Sequence, residues 1–93
     1  MSLRFEWDEI KAKRNLLQHR VAFEEAATVF ADPLSLTIQD EGHSEAEDRF
    51  VTMGMSGRQR VLVVVHTDRG QRIRIISARK ATAGEQKTYE EKD

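Results

Sequence analysis

The stretch "VLVVVHTDRGQRIRIISARK", residues 61–80, carries the strongest structural signal in the chain. Its first part is apolar on both faces, which is typical of a strand in the centre of a sheet. "TDRG" predicts a turn, and "QRIRIISARK" alternates apolar and polar residues, so we expect a second strand that pairs with the first as an antiparallel hairpin. The second strand is strongly basic, and cations at this density cost solvation free energy if they are buried. Its charge therefore calls for a functional explanation.

Strict alternation separates the residues of this basic strand into two sets. One face receives Arg72, Arg74, Ile76, Ala78 and Lys80, and the other receives Ile73, Ile75, Ser77 and Arg79. We expect helices to cover the second face and the cations of the first, Arg72, Arg74 and Lys80, to stay open. Only a bulge near Ser77 would bring Arg79 onto the open face as well, and the sequence leaves that point open. Such a ladder suits phosphate, which guanidinium groups bind through paired hydrogen bonds. The alternative is a solvated strand whose arginines pair with acidic residues elsewhere.

Outward from the hairpin, the N-terminal half predicts one short strand and two helices. "RFEW" favours a strand over residues 3–7, and Asp8 is a good N-cap for a helix over 8–19. In the second helix Phe23, Ala26, Ala27 and Phe30 follow the helical spacing, and Pro33 ends the run.

The remaining elements complete one domain over residues 1–93. "LSLTIQ" predicts a half-buried strand over 34–39, and "RFVTMGMS" predicts the strand that precedes the hairpin. Thr82 and Glu85 match a T-x-x-E capping box, so we expect a final helix there. The prediction is an α+β fold in the order β-α-α-β-β-β-β-α, with a small antiparallel sheet packed against helices.

Composition excludes several classes of function. The chain of 93 residues has no cysteine, which removes disulfides, thiolate catalysis and cysteine-based zinc sites. Its longest apolar run, Val61–Val65, is far shorter than the roughly 18 residues of a membrane span. We expect a soluble cytoplasmic protein without a cofactor.

The net charge of −1 conceals two oppositely charged parts of the sequence. An acidic sector, residues 24–48, holds eight acids, and a basic sector, residues 58–80, holds seven cations. The two sectors either neutralise each other across the fold or face different partners.

Three further side chains near the hairpin are candidates for chemistry. His66 ends the central strand, and if the hairpin pairs as predicted it lies near Arg72 and Arg74, where an imidazole can transfer protons near neutral pH. The alternative is a partly buried polar residue. Glu85 is explained by the capping box, and Tyr89 lies one turn later on the same face. His19 and His43 have no partners at metal-ligand spacing, so no metal site is predicted.

The whole chain resembles the BrnT family of bacterial toxins, on three stretches that occur in the family order. These are "FEWDEIKAKRNLLQH", "FEEAATVFADPL" and "RIRIISARKAT", the last followed by Glu85 and Tyr89. The resemblance implies a RelE-like fold and a metal-independent endoribonuclease, in which a ribose 2′-hydroxyl attacks the adjacent phosphate, inhibiting translation and growth. It also implies a ribbon-helix-helix antitoxin of the BrnA type, through which the complex would reach operator DNA.

The chemical needs of the implied reaction lead to a hypothesis about the roles of individual residues. Arg74 and Arg79 would hold the scissile phosphate with help from Lys80, and His66 or Glu85 would transfer protons. RNA outside the scissile phosphate would contact Arg69, Arg72 and Tyr89. Two other interpretations stay open: a non-catalytic nucleic-acid-binding or regulatory module that uses the same basic strand, and a purely structural interaction domain. Cleavage in the presence of chelator that is lost with the arginines would separate the enzyme from both.

Overall fold

The computed structural model describes residues 3–40 and 48–91, so His43 and most of the loop at the end of the acidic sector lie outside the described residues. The predicted α+β class is confirmed. The elements along the chain are β1 Arg4–Glu6, α1 Glu9–His19, α2 Phe23–Thr28, a 3-10 helix Val29–Ala31, β2 Leu36–Gln39, β3 Arg49–Met55, β4 Val61–Arg69, β5 Arg72–Lys80 and α3 Ala83–Glu91.

The five strands form one sheet in the order β1-β5-β4-β3-β2. Strands β2 to β5 form an antiparallel meander, in which the pairing of the three consecutive strands β3 to β5 was predicted. Strand β1, however, pairs with β5 in parallel, with Glu6 opposite Arg74. The prediction of an antiparallel sheet was therefore wrong, and the sheet is mixed. Two helices, a 3-10 helix and three strands separate β1 from β5 along the chain. The direction in which β1 pairs with β5 therefore depends on the path of all these elements, and the local alternation of residues does not reveal that path.

Helices α1 and α2 and the 3-10 helix cover one face of the sheet and form the core there. Buried side chains from the helical layer meet buried side chains of β4 and β5, the cluster being Val21, Phe23, Ala26, Val29, Leu62, Val64, Ile75 and Ala78. Trp7 extends it with an edge contact to Phe23, at 5.9 Å between ring centroids. We call this side of the sheet the helix face.

Strand β2 departs from its prediction as a half-buried strand. Leu36 is 37% exposed and Ile38 is 65% exposed. These two side chains point away from the helix face, because their register partners Met53 and Val51 alternate with the inward-facing Thr52. The alternating pattern identified the strand correctly. It did not reveal that the apolar side chains of this strand lie on the face of the sheet opposite the helix face.

A buried amide fixes the helical layer against β5. The Asn15 side chain on α1 is 6% exposed and donates from Nδ2 to the carbonyl oxygens of Val21 and Ala78, each at 2.8 Å. Its Oδ1 accepts from the backbone N–H of Ala78 at 3.0 Å. All these donors and acceptors are satisfied inside the protein, so Asn15 holds the second half of β5 in a fixed position.

Strand β5 contains a bulge next to Ser77, which the sequence leaves as an open possibility. Val65 pairs with Ser77 and His66 pairs with Ile75, which leaves Ile76 as an extra residue between them. Beyond this bulge the alternation is reversed: Ala78 and Lys80 lie on the helix face, and Arg79 joins Arg72 and Arg74 on the opposite side. We call that opposite side of the sheet the arginine face.

Candidate functional site

The arginine face brings together four of the predicted site residues on neighbouring positions. Arg72, Arg74 and Arg79 stand opposite Arg69, Thr67 and Val63 of β4, and register partners share a face of the sheet. The side chains of the three β5 arginines are 54%, 31% and 42% exposed in that order. They can therefore reach solvent while their stems are held by the sheet.

Arg79 is held by the carboxylate of Glu85 on α3. Arg79 Nη1 donates to Glu85 Oε1 at 2.8 Å, and Nη2 donates to Oε2 at 2.9 Å. This is the two-point geometry in which a guanidinium and a carboxylate bind most strongly. The pair raises the pKa of Arg79, so its charge is secure.

Glu85 also makes the predicted capping box. Its Oε1 accepts from the backbone N–H of Thr82 at 2.9 Å, and the Thr82 hydroxyl oxygen accepts from the N–H of Glu85 at 3.1 Å. The Arg79 guanidinium and the Thr82 amide together lower the pKa of Glu85 to about 2. Glu85 is therefore ionised at neutral pH and carries no proton to donate in this arrangement.

A second carboxylate on the arginine face comes from Glu6, which the sequence reasoning missed. Arg74 Nη1 donates to Glu6 Oε2 at 2.8 Å, and Arg72 Nη1 lies 3.9 Å from Glu6 Oε1. Glu6 is placed there by the parallel pairing of β1 with β5. The available signal was the short alternating "RFEW" segment, which predicted a strand without showing its partner.

The two carboxylates hold the arginines ready for an anion. A guanidinium carries five N–H donors and one carboxylate engages two of them, so a phosphate can bind beside the glutamate or replace it. The carboxylates can in turn accept protons from a bound ligand. The arrangement therefore supplies fixed positive charge and possible proton acceptors within one surface.

His66 lies on the helix face, so its predicted position beside Arg72 and Arg74 was wrong. It is 5% exposed, and its Nε2 lies 2.7 Å from the Thr52 hydroxyl oxygen. Its ring centroid lies 4.8 Å from that of Phe30 and 5.9 Å from that of Phe50. Burial lowers the pKa of His66, although the charge of Asp68 acts in the opposite direction. The imidazole is therefore a neutral interior group on the far side of the sheet from the arginines.

Lys80 and Tyr89 also lie apart from the arginine cluster. Lys80 stands opposite Leu62 on the helix face. Tyr89 is 8% exposed and donates its hydroxyl proton to Asp32 Oδ2, which also accepts from the backbone N–H of Met55 at 2.8 Å. The Asp32 carboxylate and burial raise the pKa of Tyr89 to about 12. In this structure Tyr89 anchors α3, and the RNA contacts of both residues stay predictions.

Residues 3–40 and 48–91 contain no group of three or more histidine, aspartate or glutamate side chains arranged to hold a metal ion. None of the helices there combines the length and the apolar character needed to cross a lipid bilayer.

Comparisons with known proteins identify the fold and the family of the chain. The chain has a fold similar to that in the crystal structure of the Brucella abortus ribonuclease toxin, BrnT, with a TM-score of 0.66 and 19% sequence identity. The alignment covers 87% of this chain and 99% of the Brucella chain. No curated protein matches the sequence. The family model described as the ribonuclease toxin BrnT of type II toxin–antitoxin systems matches residues 7–85. Since that match spans most of the sequence, the chain belongs to the BrnT family of ribonuclease toxins.

Proposed function

We propose that this toxin is an endoribonuclease that cleaves RNA on the arginine face without a metal ion. The observation that carries the proposal is the assembly of Arg72, Arg74 and Arg79 on one face, each turned there by strand register and the bulge in β5. Fixed guanidinium groups supply the positive charge that a metal ion supplies in other nucleases. We also infer that the fold is of the RelE-like type, because the basic residues lie on the sheet face opposite α1 and α2.

The reaction proposed is an internal transfer at phosphorus. The ribose 2′-oxygen loses its proton and bonds to the adjacent phosphorus, and the bond from phosphorus to the 5′-oxygen of the next nucleotide breaks. The departing oxygen takes a proton, so the products are a 2′,3′-cyclic phosphate and a free 5′-hydroxyl. Arg74 and Arg79 would neutralise the extra negative charge of the five-coordinate phosphorus, an effect worth roughly 10²–10³ in rate for each fixed donor.

Glu6 and Glu85 are the proton acceptors that this geometry supports. Both carboxylates contact the arginines that would bind the phosphate. While Arg79 clamps Glu85, the low pKa makes this carboxylate a weak base. A phosphate that attracts Arg79 would weaken the two hydrogen bonds between Arg79 and Glu85 and so raise the pKa of Glu85. Glu6, which lies between Arg72 and Arg74, is the second candidate for accepting the 2′-hydroxyl proton.

The test compares Arg74→Ala and Arg79→Ala with the wild type on single-stranded RNA in the presence of a chelator. We expect a loss of at least about 100-fold in cleavage rate for each variant, and cyclic phosphate ends on the wild-type products. Arg14→Ala is the matched control, because Arg14 is an exposed arginine on α1 in the helical layer. Wild-type rates in both arginine variants, with circular dichroism showing a folded protein, would rule out this site.

The toxin family implies a protein antitoxin as partner. We propose that this antitoxin is of the BrnA type with a ribbon-helix-helix domain, and that the complex reaches operator DNA only through it. The excess of arginine on the exposed site makes an acidic antitoxin segment a suitable match. Free toxin would act on cytoplasmic RNA and so arrest translation and growth.

The proposed neutralisation is tested by expressing the chain with and without the reading frame adjacent to its gene. We expect growth arrest with the chain alone and relief by the adjacent product. Growth arrest that this product does not relieve would contradict the proposed neutralisation.

A further inference from the structure

An apolar groove lies on the arginine face next to Arg79. It has a volume of about 220 Å³ and is lined by Leu36, Ile38, Val51, Met53, Val63 and Glu85. We call it the edge groove. Strand register explains its composition, since Leu36 pairs with Met53, and Met53 pairs with Val63. Val63 in turn pairs with Arg79, so the groove runs directly into the arginine cluster, with Glu85 at their border.

The strand that bounds the groove is an edge strand. Asp40 donates its backbone N–H to the carbonyl of Arg49 at 2.8 Å. In an antiparallel ladder every second residue bonds to the neighbouring strand, so Ile38 and Leu36 also direct their backbone groups toward β3. The residues between them, Thr37 and Gln39, direct their backbone N–H and C=O groups away from β3. Within the described residues no strand pairs with that outer edge. Such an edge is a template for a further strand.

The charge of the arginine face defines the partner that would fit beside the groove. The acidic side chains beside Arg79 and Arg74 are Glu85 of α3 and Glu6 of β1. The arginines at positions of β1 and β5 on this face are Arg4, Arg72, Arg74 and Arg79. Four arginines against two glutamates leave an excess of two positive charges among these residues. A segment that lies across groove and arginines together is therefore complementary if it combines apolar and acidic side chains.

We propose that the edge groove and the outer edge of β2 are the docking site of the protein antitoxin. An extended antitoxin segment pairs with β2, places alternate apolar side chains in the groove, and lays acidic side chains over the arginines. This inference rests on the proposed function in one respect, because the segment blocks RNA only if RNA binds to those arginines. The lining favours a protein over RNA: it is aliphatic, whereas unpaired bases are held by stacking on aromatic side chains.

The first experiment measures the affinity of the toxin for the product of the adjacent reading frame. Ile38→Glu places a charge in the groove at a side chain that is 65% exposed, so folding is preserved. We expect affinity to fall at least about tenfold, with RNA cleavage unchanged. Leu17→Glu is the matched control, because Leu17 is 80% exposed on α1, and its affinity should equal that of the wild type. Equal affinities for wild type and Ile38→Glu would overturn the proposal.

A second experiment uses the absence of cysteine from the chain, since Ile38→Cys then carries a single thiol. A thiol reagent should modify it rapidly in the free toxin and slowly in the antitoxin complex, whereas Leu17→Cys should react at the same rate in both. Slow modification already in the free toxin would mean that another part of this chain covers the groove, and unchanged modification in the complex would mean that the antitoxin binds elsewhere. Either result overturns the docking site.

The two proposals fail in different ways. If the wild type cleaves no RNA but Ile38→Glu weakens antitoxin binding, the docking site stands and the proposed function falls. If Ile38→Glu instead lowers cleavage and leaves antitoxin affinity unchanged, the groove holds RNA and the docking proposal is overturned. Thermal unfolding of each variant shows that a change in binding does not reflect loss of the fold.

Discussion

The imidazole of His66 makes folding sensitive to mild acid. It is enclosed by Thr52 and two phenylalanine rings, and burial lowers its pKa below the ordinary value of about 6.5. Its Nδ1 has no hydrogen-bond partner within the described residues, so a proton added there would be buried without an acceptor. Below the ordinary pKa the unfolded chain binds this proton and the folded protein does not, and acid therefore favours unfolding.

We expect the free energy of unfolding to be highest above about pH 6.5 and to fall as the pH drops toward the lowered pKa of His66. His66→Gln removes the titrating group, so its stability should depend less on pH between about 7 and 5. Urea unfolding of both proteins across this range measures the difference. Glu85 does not interfere, because its pKa is lowered from 4.5 to about 2 and its contribution is lost only in stronger acid. Parallel curves for the two proteins would contradict this explanation.

Single residues also show how far the sequence could predict the site. The T-x-x-E spacing identified the cap formed by Glu85, and the alternation in β5 raised the possibility that Arg79 turns at a bulge. Alternation along β4 puts His66 on the same side as Leu62 and Val64, but it does not say which side of a hairpin faces the helices, so the predicted position beside the arginines was wrong. Glu6 reaches Arg74 across 68 positions of sequence, and no local pattern connects them.

The element β3 passes very close to the segment that leads into β2. A Cβ atom added at Gly54 would lie 2.9 Å from Ser35 Cβ and 3.0 Å from Val29 Cγ1, which is tighter than packed carbon atoms tolerate. Gly54→Ala should therefore lower the free energy of unfolding by about 1–3 kcal/mol, the usual cost of overpacking.

Gly84→Ala is the matched control for that substitution. Gly84 lies in α3 with open space around its Cα, so alanine should leave stability unchanged or raise it by up to about 1 kcal/mol through its higher helix propensity. Chemical denaturation of the two variants beside the wild type measures both effects. Equal stabilities for the two alanine variants would show that β3 moves away from Ser35 at little cost.

Elements joined by short connections were predictable, and the element that needs a long crossover was not. The pairing of β3 to β5 and the helix positions follow from alternation, short turns, helical spacing and caps, which are local properties of the sequence. The pairing of β1 with β5 depends on how the whole helical layer packs, so its parallel direction appeared only in the structure. The same limit applies to β2, whose apolar residues were recognised while the face on which they lie was not.

At the scale of the whole molecule, the positive charges of Arg72, Arg74 and Arg79 lie together on one face of the sheet although the net charge is −1. Binding of single-stranded RNA through Arg72, Arg74 and Arg79 should release counterions, so the logarithm of affinity falls by about 0.7 per phosphate contact for each unit of log salt concentration. Three contacts predict a slope of about −2. Arg79→Ala should reduce the steepness by about 0.7, and Arg14→Ala should not change it. Fluorescence anisotropy in a salt series measures the slopes, and equal slopes for the Arg79→Ala variant and wild type would contradict binding at this face.

The parallel pairing of β1 with β5 also sets when the arginine face can form during synthesis of the chain. Glu6 is synthesised long before its partners Arg72 and Arg74, which lie in β5, the last strand of the sheet along the chain. Until β5 has emerged, β1 has no neighbour, the antiparallel meander lacks its fourth strand, and Arg79 has neither its bulge nor Glu85. A nascent chain therefore cannot assemble the arginine face before both β5 and the first turn of α3 have been synthesised. Every other strand of the sheet is made earlier than the strand that completes this face.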